Sequence, residues 1–166
     1  MKKLILLTVV VFGFAATSLA QKDASTSVQV QFQIATSPNA GASIGWSNDM
    51  DFAKIDYNKV GGYIWIKPTT TAVATLPVIG TPKPATFYIK GLKSGTPNLS
   101  VTPSTSVDLG NYATFETSSD PNYLNAACTD GGQGNYTVKL GGKLTLPDNF
   151  VGTISIPSVT VAINNQ

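Results

Sequence analysis

The sequence predicts an all-β protein, an antiparallel sandwich or barrel of about eight or nine short strands. Short runs rich in β-branched and aromatic residues recur along the 166 residues, for example "VQVQFQI" and "YIWIK". Gly, Pro, Ser and Asn separate these runs and mark turns. No stretch shows the apolar spacing of an amphipathic helix.

The first twenty residues have the pattern of a Sec signal peptide. Lys2 and Lys3 precede an apolar stretch, Leu4–Ala16, and small residues follow at Ser18 and Ala20. We therefore expect residues 1–20 to be cleaved and residues 21–166 to form a single domain. The mature chain should have no membrane span, and it should be secreted or held at a bacterial surface after passing through the periplasm.

The charge of the mature chain argues against nucleic acids and anionic membranes as partners. Nine lysines and nine acidic residues remain once the signal peptide is removed, and the lysines are scattered. Without a basic stripe, the release of counterions that drives nucleic-acid binding is missing. The single cysteine, Cys128, cannot form a disulfide within the chain, and it is a candidate for an intermolecular thiol pair.

Three segments interrupt the pattern of predicted strands. Residues 68–84 contain four prolines and should form a long loop with an edge strand at most. Residues 118–134 are polar and rich in glycine, which predicts an exposed loop that contains Cys128. Gly141 and Gly142 should form a hairpin turn or a bulge.

Motifs in most of the mature chain resemble a known family. "ATFYIKGL…NLSVTPS" is followed by "GNYTVKLGGKLTLPDNFVGTISIPSVTVAINNQ", and "DMDFAKI" lies upstream at Asp49–Ile55. These motifs resemble the bacterial exported family filed as domain of unknown function 4402, although Ala53 stands where the family has glycine. The resemblance implies a Greek-key, immunoglobulin-like β-sandwich, loosely similar to fimbrial subunits, with no established activity.

Composition argues against an enzyme. The chain contains no histidine, the usual general base near neutral pH, and Glu116 is its only glutamate. Asp49 and Asp51 could offer oxygen ligands to calcium, but the spacing of a calcium-binding loop is missing. We predict no catalytic residues, no metal site and no cofactor.

Tyr63 and Trp65 form a candidate binding face. The two side chains should point to one side of a strand, with Ile64 and Ile66 on the other. If the aromatic side is open, it could stack on a sugar ring or dock a protein. If it is covered, the two rings belong to the packing of the domain.

The ribbon "VQVQFQI" is the candidate assembly element. Val28, Val30, Phe32 and Ile34 alternate with glutamine and should share one face of a first strand that follows a flexible lead, residues 21–27. Burying each apolar side chain contributes about 1.5–3 kcal/mol, so the strand must complete a sheet. That sheet could belong to the same chain or to a neighbouring subunit, as in β-strand donation.

These observations predict a non-enzymatic exported protein with a structural or adhesive role, most simply a fimbrial-like surface subunit. Its partners would be further copies, other surface subunits or a periplasmic chaperone. One alternative is a secreted module that binds carbohydrate or protein through Tyr63 and Trp65. A second is a small outer-membrane β-barrel, which the short strands and the prolines disfavour.

Overall fold

The computed structural model describes residues 23–28, 30–34, 43–92, 98–104, 106–128 and 134–164. Within these ranges the protein is all-β and contains no helix, which confirms the predicted fold class. In the same ranges, no helix is long and apolar enough to span a membrane. The sheets are antiparallel, with one parallel pair of strands, and they enclose a common core consistent with a β-sandwich.

The described residues form fifteen strands, more and shorter than the sequence predicted. Their bounds are β1 Asp23–Val28, β2 Val30–Ile34, β3 Ser43–Asn48, β4 Met50–Asp56, β5 Gly62–Ile66, β6 Val73–Ala74, β7 Val78–Ile79, β8 Ala85–Lys90, β9 Asn98–Thr102, β10 Val107–Gly110, β11 Ala113–Glu116, β12 Leu124–Cys128, β13 Tyr136–Leu140, β14 Gly142–Leu146 and β15 Val159–Asn164.

The described strands form four sheets, and the chain repeatedly leaves one sheet to enter another. Their strand orders are β1-β4-β7, β10-β11-β14-β5-β6, β12-β13-β8-β3 and β2-β15-β9. The consecutive pairs β1/β2, β3/β4, β9/β10, β11/β12 and β13/β14 each contribute one strand to each of two different sheets. In β1/β2, β3/β4 and β13/β14 the two strands are one residue apart, so one run of chain forms two strands, which accounts for part of the higher number.

Alternating burial along several strands, such as β8, β11 and β14, builds the core. In β14 the side chains of Leu144 and Leu146 are buried, while Lys143 and Thr145 between them are half-buried. Phe52 and Phe115 meet edge to face at the centre, with 6.1 Å between their ring centroids. The largest fully buried side chains of the described residues come from strands that are far apart in sequence: Met50, Phe52, Ile64, Ile66, Phe87, Ile89, Phe115, Leu140, Leu144 and Leu146.

Gly141 and Gly142 form neither a hairpin turn nor a bulge. The strands on either side of Gly141, β13 and β14, belong to different sheets, so the chain crosses between sheets at this point. A Cβ on Gly141 would lie 2.0 Å from the carbonyl oxygen of Ile66, and one on Gly142 would lie 2.9 Å from Met50 Sδ. The glycines are needed because the crossing leaves no space for a side chain.

The two segments predicted as loops contain strands. In the proline-rich segment, β6 and β7 are two residues long and lie at the edges of two different sheets, which confirms edge strands and a long connection. The predicted loop 118–134 is wrong for Leu124–Cys128, because β12 pairs with β13 along its whole length. Burial of Leu124 against the core outweighs the polar composition of the surrounding sequence.

Candidate functional site

The predicted first ribbon is divided between two sheets. Val28 ends β1 and pairs with Met50 of β4, in an antiparallel register that starts with Asp23 beside Asp56. Val30, Phe32 and Ile34 lie in β2, next to Val159, Val161 and Ile163 of β15 in a parallel register. The ribbon is therefore not a single strand, because Val28 belongs to β1 and the other three residues belong to β2. The shared face of the four side chains lies outside what the structure describes and stays a prediction. The predicted flexible lead is wrong, because Asp23–Val28 is a strand.

We call β1 and β2 together the N-terminal segment. This segment closes a continuous series of paired strands. From β4 the chain leads back to β3, which pairs with β8, and β8 pairs with β13. β13 continues into β14, which pairs with β11; β11 pairs with β10, which follows β9, and β9 pairs with β15. The N-terminal segment pairs with β4 at one end of this series and with β15 at the other.

The strands that pair with the N-terminal segment, β4 and β15, carry fully buried side chains. Met50 and Phe52 of β4 are 0% exposed, as are Val159 and Val161 of β15. Without the N-terminal segment, the described strand pairs would leave β4 with the two-residue β7 and the bridge from Asp51 to Lys83, and would leave β15 with β9. Two strand edges next to the core would then present unpaired backbone groups.

The candidate aromatic face lies on the outer side of the five-stranded sheet. Ile64 and Ile66 are buried, whereas Tyr63 and Trp65 are half-buried, as the alternation predicted. Trp65 lies beside Val73 of β6 on one side and Lys143 of β14 on the other.

The rings of this face already have partners within the chain. The Trp65 ring packs against Tyr123 with 5.8 Å between centroids, and Lys67 Nζ lies 4.2 Å from the Trp65 centroid. Lys143 Nζ lies 5.3 Å from the centroid of Tyr63. These cation–π and ring contacts occupy surface that a sugar would need. Trp65 Nε1 is buried and has no hydrogen-bond partner in the described part of the chain.

Tyr123 joins the aromatic face to an acidic side chain. Its hydroxyl donates a hydrogen bond of 3.2 Å to Oε2 of Glu116. Burial of the phenol, and then the negative charge of Glu116, raise the pKa of Tyr123 above its ordinary value of about 10. Tyr123 therefore stays neutral at physiological pH, which suits a donor in a structural contact.

Asp49 and Asp51 line a shallow cleft of about 440 Å³ together with Asn48, Lys83, Pro84, Thr86 and Lys139. Asp51 Oδ1 accepts a 2.8 Å hydrogen bond from the backbone N–H of Ala53, and this carboxylate supports a residue with a φ of 62°. Among the described residues, no group of three or more His, Cys, Asp or Glu side chains could hold a metal ion. The observed role of Asp51 is to stabilise the backbone of β4.

Cys128 is exposed at the end of β12, where it pairs in register with Tyr136. Tyr136 in turn pairs with Ile89, and Ile89 with Ile44 at the start of β3. The cysteine therefore lies at the end of the molecule where β3 begins. The intermolecular role of its thiol stays a prediction.

Residues 42–164 match the family described as Domain of unknown function (DUF4402). This match covers most of the chain. The protein belongs to the DUF4402 family. No curated protein and no solved structure matches the chain.

The DUF4402 match separates the N-terminal segment from the rest of the fold. The matched residues include β3 to β15, and with them both β4 and β15. β1 and β2 precede the match, although they complete the pairing of these two strands. In this protein the DUF4402 region is thus closed by a segment outside the matched range.

Several residues of the aromatic face were missed by the sequence reasoning. Lys67 follows Trp65 by two residues, so strand alternation would have placed it on the same side. Lys143 and Glu116 become neighbours of this face only through the pairing of β14 with β5 and β11. Tyr123 lies in a segment predicted as loop, and no pattern in the DUF4402 sequence indicated that its ring would reach Trp65.

Proposed function

We propose that the protein is a non-enzymatic, exported structural or adhesive surface subunit, fimbrial-like in its use of strand pairing between copies. The single observation that carries this proposal is the position of the N-terminal segment. It precedes the DUF4402 region, yet it supplies the strands that pair with β4 and β15. A segment of this kind can be supplied by the same chain or by a neighbouring copy in the same register.

The energetics favour keeping this position filled. The two covered strands contain Met50, Phe52, Val159 and Val161, all fully buried. If β1 and β2 were removed, β4 and β15 would present unpaired backbone N–H and C=O groups beside these core residues. A copy that has lost its own N-terminal segment would therefore gain from accepting the segment of another copy.

The chemistry of the chain supports a non-enzymatic role. The sequence has no histidine, and its single glutamate, Glu116, accepts the hydrogen bond of Tyr123. Asp51 is engaged with the backbone of Ala53. Both carboxylates are thus engaged in hydrogen bonds that stabilise the fold.

The alternative of a carbohydrate- or protein-binding module is less well supported by the aromatic face. Trp65 contacts Tyr123 and Lys67, and Tyr63 contacts Lys143. A ligand that stacks on these rings would first have to displace side chains of the protein itself.

Strand donation can be tested by trapping the register of β1 on β4. Ser25 and Lys54 are direct partners in this pair. Directly opposed residues of antiparallel strands lie about 4.5–5.5 Å apart at Cα, which suits a disulfide. We suggest the variant Ser25→Cys/Lys54→Cys with Cys128→Ser, refolded at increasing protein concentration and then oxidised. Non-reducing SDS gels should show covalent oligomers, and a reductant should convert them to monomers.

A matched control places the cysteine pair within the DUF4402 region. Thr114 and Thr145 are direct partners between β11 and β14. The variant Thr114→Cys/Thr145→Cys with Cys128→Ser should bridge within one chain at every concentration. If the Ser25/Lys54 variant also yields only bridged monomers at high concentration, the N-terminal segment is not donated, and the proposal fails.

A further inference from the structure

The two ends of the connection between β2 and β3 lie at the same end of the molecule. β1 runs antiparallel to β4, with Asp23 beside Asp56 and Val28 beside Met50. Ile34 lies six residues beyond Val28, and Ser43 lies seven residues before Met50. β2 follows β1 and β3 precedes β4, so Ile34 and Ser43 both lie beyond the end of the β1/β4 pair at which Val28 meets Met50. We call this end of the molecule the connection end.

Cys128 lies at the connection end as well. Cys128, Tyr136, Ile89 and Ile44 form one row across the four-stranded sheet. Adjacent strands are about 4.8 Å apart, so three spacings put the cysteine about 14 Å from the start of β3. Its side chain is exposed.

The opposite end, which we call the loop end, exposes three apolar side chains. Val60, Tyr112 and Val151 are 61%, 89% and 77% exposed. Their loops are tied together, because Asn111 Nδ2 donates to the carbonyl of Val151 and the N–H of Asn149 donates to the carbonyl of Lys59. This end is where β4 finishes and β1 starts.

The length of the connection limits where a donating copy can lie. Nine steps separate Ile34 from Ser43, so the chain between them spans at most about 32 Å. A domain of this size has a radius of gyration of about 15 Å and is about 40 Å across. If the donor turned its loop end toward the acceptor, its own Ser43 would lie about 40 Å away on the far side of the donor. The chain that leaves the acceptor's connection end after the donated Ile34 could not span that distance.

From this geometry, and on the basis of the proposed function, we infer that strand donation joins two copies reciprocally through their connection ends. A donated β2 leaves the acceptor at its connection end, and β3 of the donor starts at the donor's own connection end. The two bodies then face each other at these ends, within the reach set by the number of residues between Ile34 and Ser43. Each copy then fills the position left open in its partner, and the exchange closes at two copies. The loop ends of both copies, each with its exposed Tyr112, then point away from the contact between the copies.

The test uses the cysteine that the chain already has. The mature chain is refolded at high concentration, and its oligomers are isolated by size and treated with a short-spacer bis-maleimide, which adds to thiols without oxidation. We expect a mass of two chains and efficient linkage through Cys128. The matched control, Val151→Cys with Cys128→Ser, moves the thiol to the loop end and should link several-fold less within the same oligomer.

Each other outcome contradicts the inference in a distinct way. Oligomers longer than two chains, or linkage through Val151→Cys in preference to Cys128, would show that donation occurs with another polarity, and the proposed function would stand. A chain that remains monomeric at every concentration, with the Ser25/Lys54 pair bridged internally, would overturn both proposals.

Discussion

Gly141 lies directly against the backbone of Ile66. A methyl group on its Cα would stand 2.0 Å from the carbonyl oxygen of Ile66 and 3.0 Å from the carbonyl carbon. Both obstacles belong to backbone at the end of β5, which is fixed by its pairing with β14. The crossing between the two sheets therefore depends on the absence of a side chain at Gly141.

The two neighbouring glycines should respond differently to alanine. Gly141→Ala should lower the free energy of unfolding by about 3 kcal/mol or more, because backbone must move. Gly142→Ala should cost about 1–3 kcal/mol, since the two nearest atoms, Phe115 Cε2 and Met50 Sδ, belong to side chains and the nearest backbone atom, the carbonyl oxygen of Glu116, lies 3.2 Å away. Urea denaturation monitored by circular dichroism measures both.

Gly45 supplies the control for this series. A Cβ there would meet only Tyr88, at an ordinary 3.5 Å. Gly45→Ala should leave the urea midpoint nearly unchanged. Equal losses at Gly45, Gly141 and Gly142 would mean that glycine flexibility, and not space at the crossing, decides the effect.

Alternation of side chains made the central strands predictable. Tyr63, Ile64, Trp65 and Ile66 show the expected pattern of burial, because a strand with one face on the core leaves a period of two in the sequence. β12 was missed because Leu124 is the one residue of its five that is buried. β1 was missed because its small polar residues have low strand propensity, and its pairing with β4 is a tertiary effect.

Long-range pairing explains why the candidate site was only partly predictable. The ribbon from Val28 to Ile34 was recognised as strand, but its division between two sheets depends on β4 and β15, which are distant in sequence. The same holds for Tyr123, whose contact with Trp65 bridges two separate segments. Patterns of two or three residues identify the strands and their buried faces; they do not identify partners across the molecule.

Trp65 should act mainly in packing. Trp65→Ala removes a half-buried ring that contacts Tyr123 and Lys67, and we expect a loss of about 3 kcal/mol in unfolding free energy. Trp65→Phe keeps an aromatic ring and removes the buried indole N–H that has no described partner, so its cost should be under about 1.5 kcal/mol. Urea denaturation compares the two variants. If Trp65→Ala is as stable as the wild type, Trp65 does not act in packing, and the result would favour an open aromatic binding face.

The raised pKa of Tyr123 predicts a specific loss of stability at alkaline pH. Its pKa is raised in the folded protein, first by burial and then by Glu116, so the folded state holds the phenolic proton more tightly than the unfolded chain. This contribution is fully present below about pH 10, the ordinary pKa of tyrosine, and is lost as pH rises through the higher folded pKa. Unfolding free energies measured from pH 7 to pH 11 should fall more steeply in the wild type than in Tyr123→Phe.

The charge of Glu116 can be separated from the effect of burial. Glu116→Gln keeps an oxygen that can accept the Tyr123 hydrogen bond and removes the negative charge. This variant should reduce the excess alkaline slope in part, because burial is the larger cause of the raised pKa. Identical slopes in the wild type, Tyr123→Phe and Glu116→Gln would show that Tyr123 titrates alike in the folded and unfolded states.

Tyr57 should stabilise the loop end through its hydroxyl group. The hydroxyl donates to the carbonyl of Pro147 and accepts a 2.7 Å hydrogen bond from the N–H of Phe150. The rings of Tyr57 and Phe150 meet edge to face, with 6.3 Å between their centroids. Tyr57→Phe keeps the ring contact but leaves two half-buried backbone groups without this partner, which should cost about 1–3 kcal/mol. Amide exchange at Phe150 should accelerate in step with the loss measured by urea. Tyr88→Phe, on a side chain that is 44% exposed, is the control and should change neither quantity; equal behaviour of the two variants would show that the Tyr57 hydroxyl does not hold this loop.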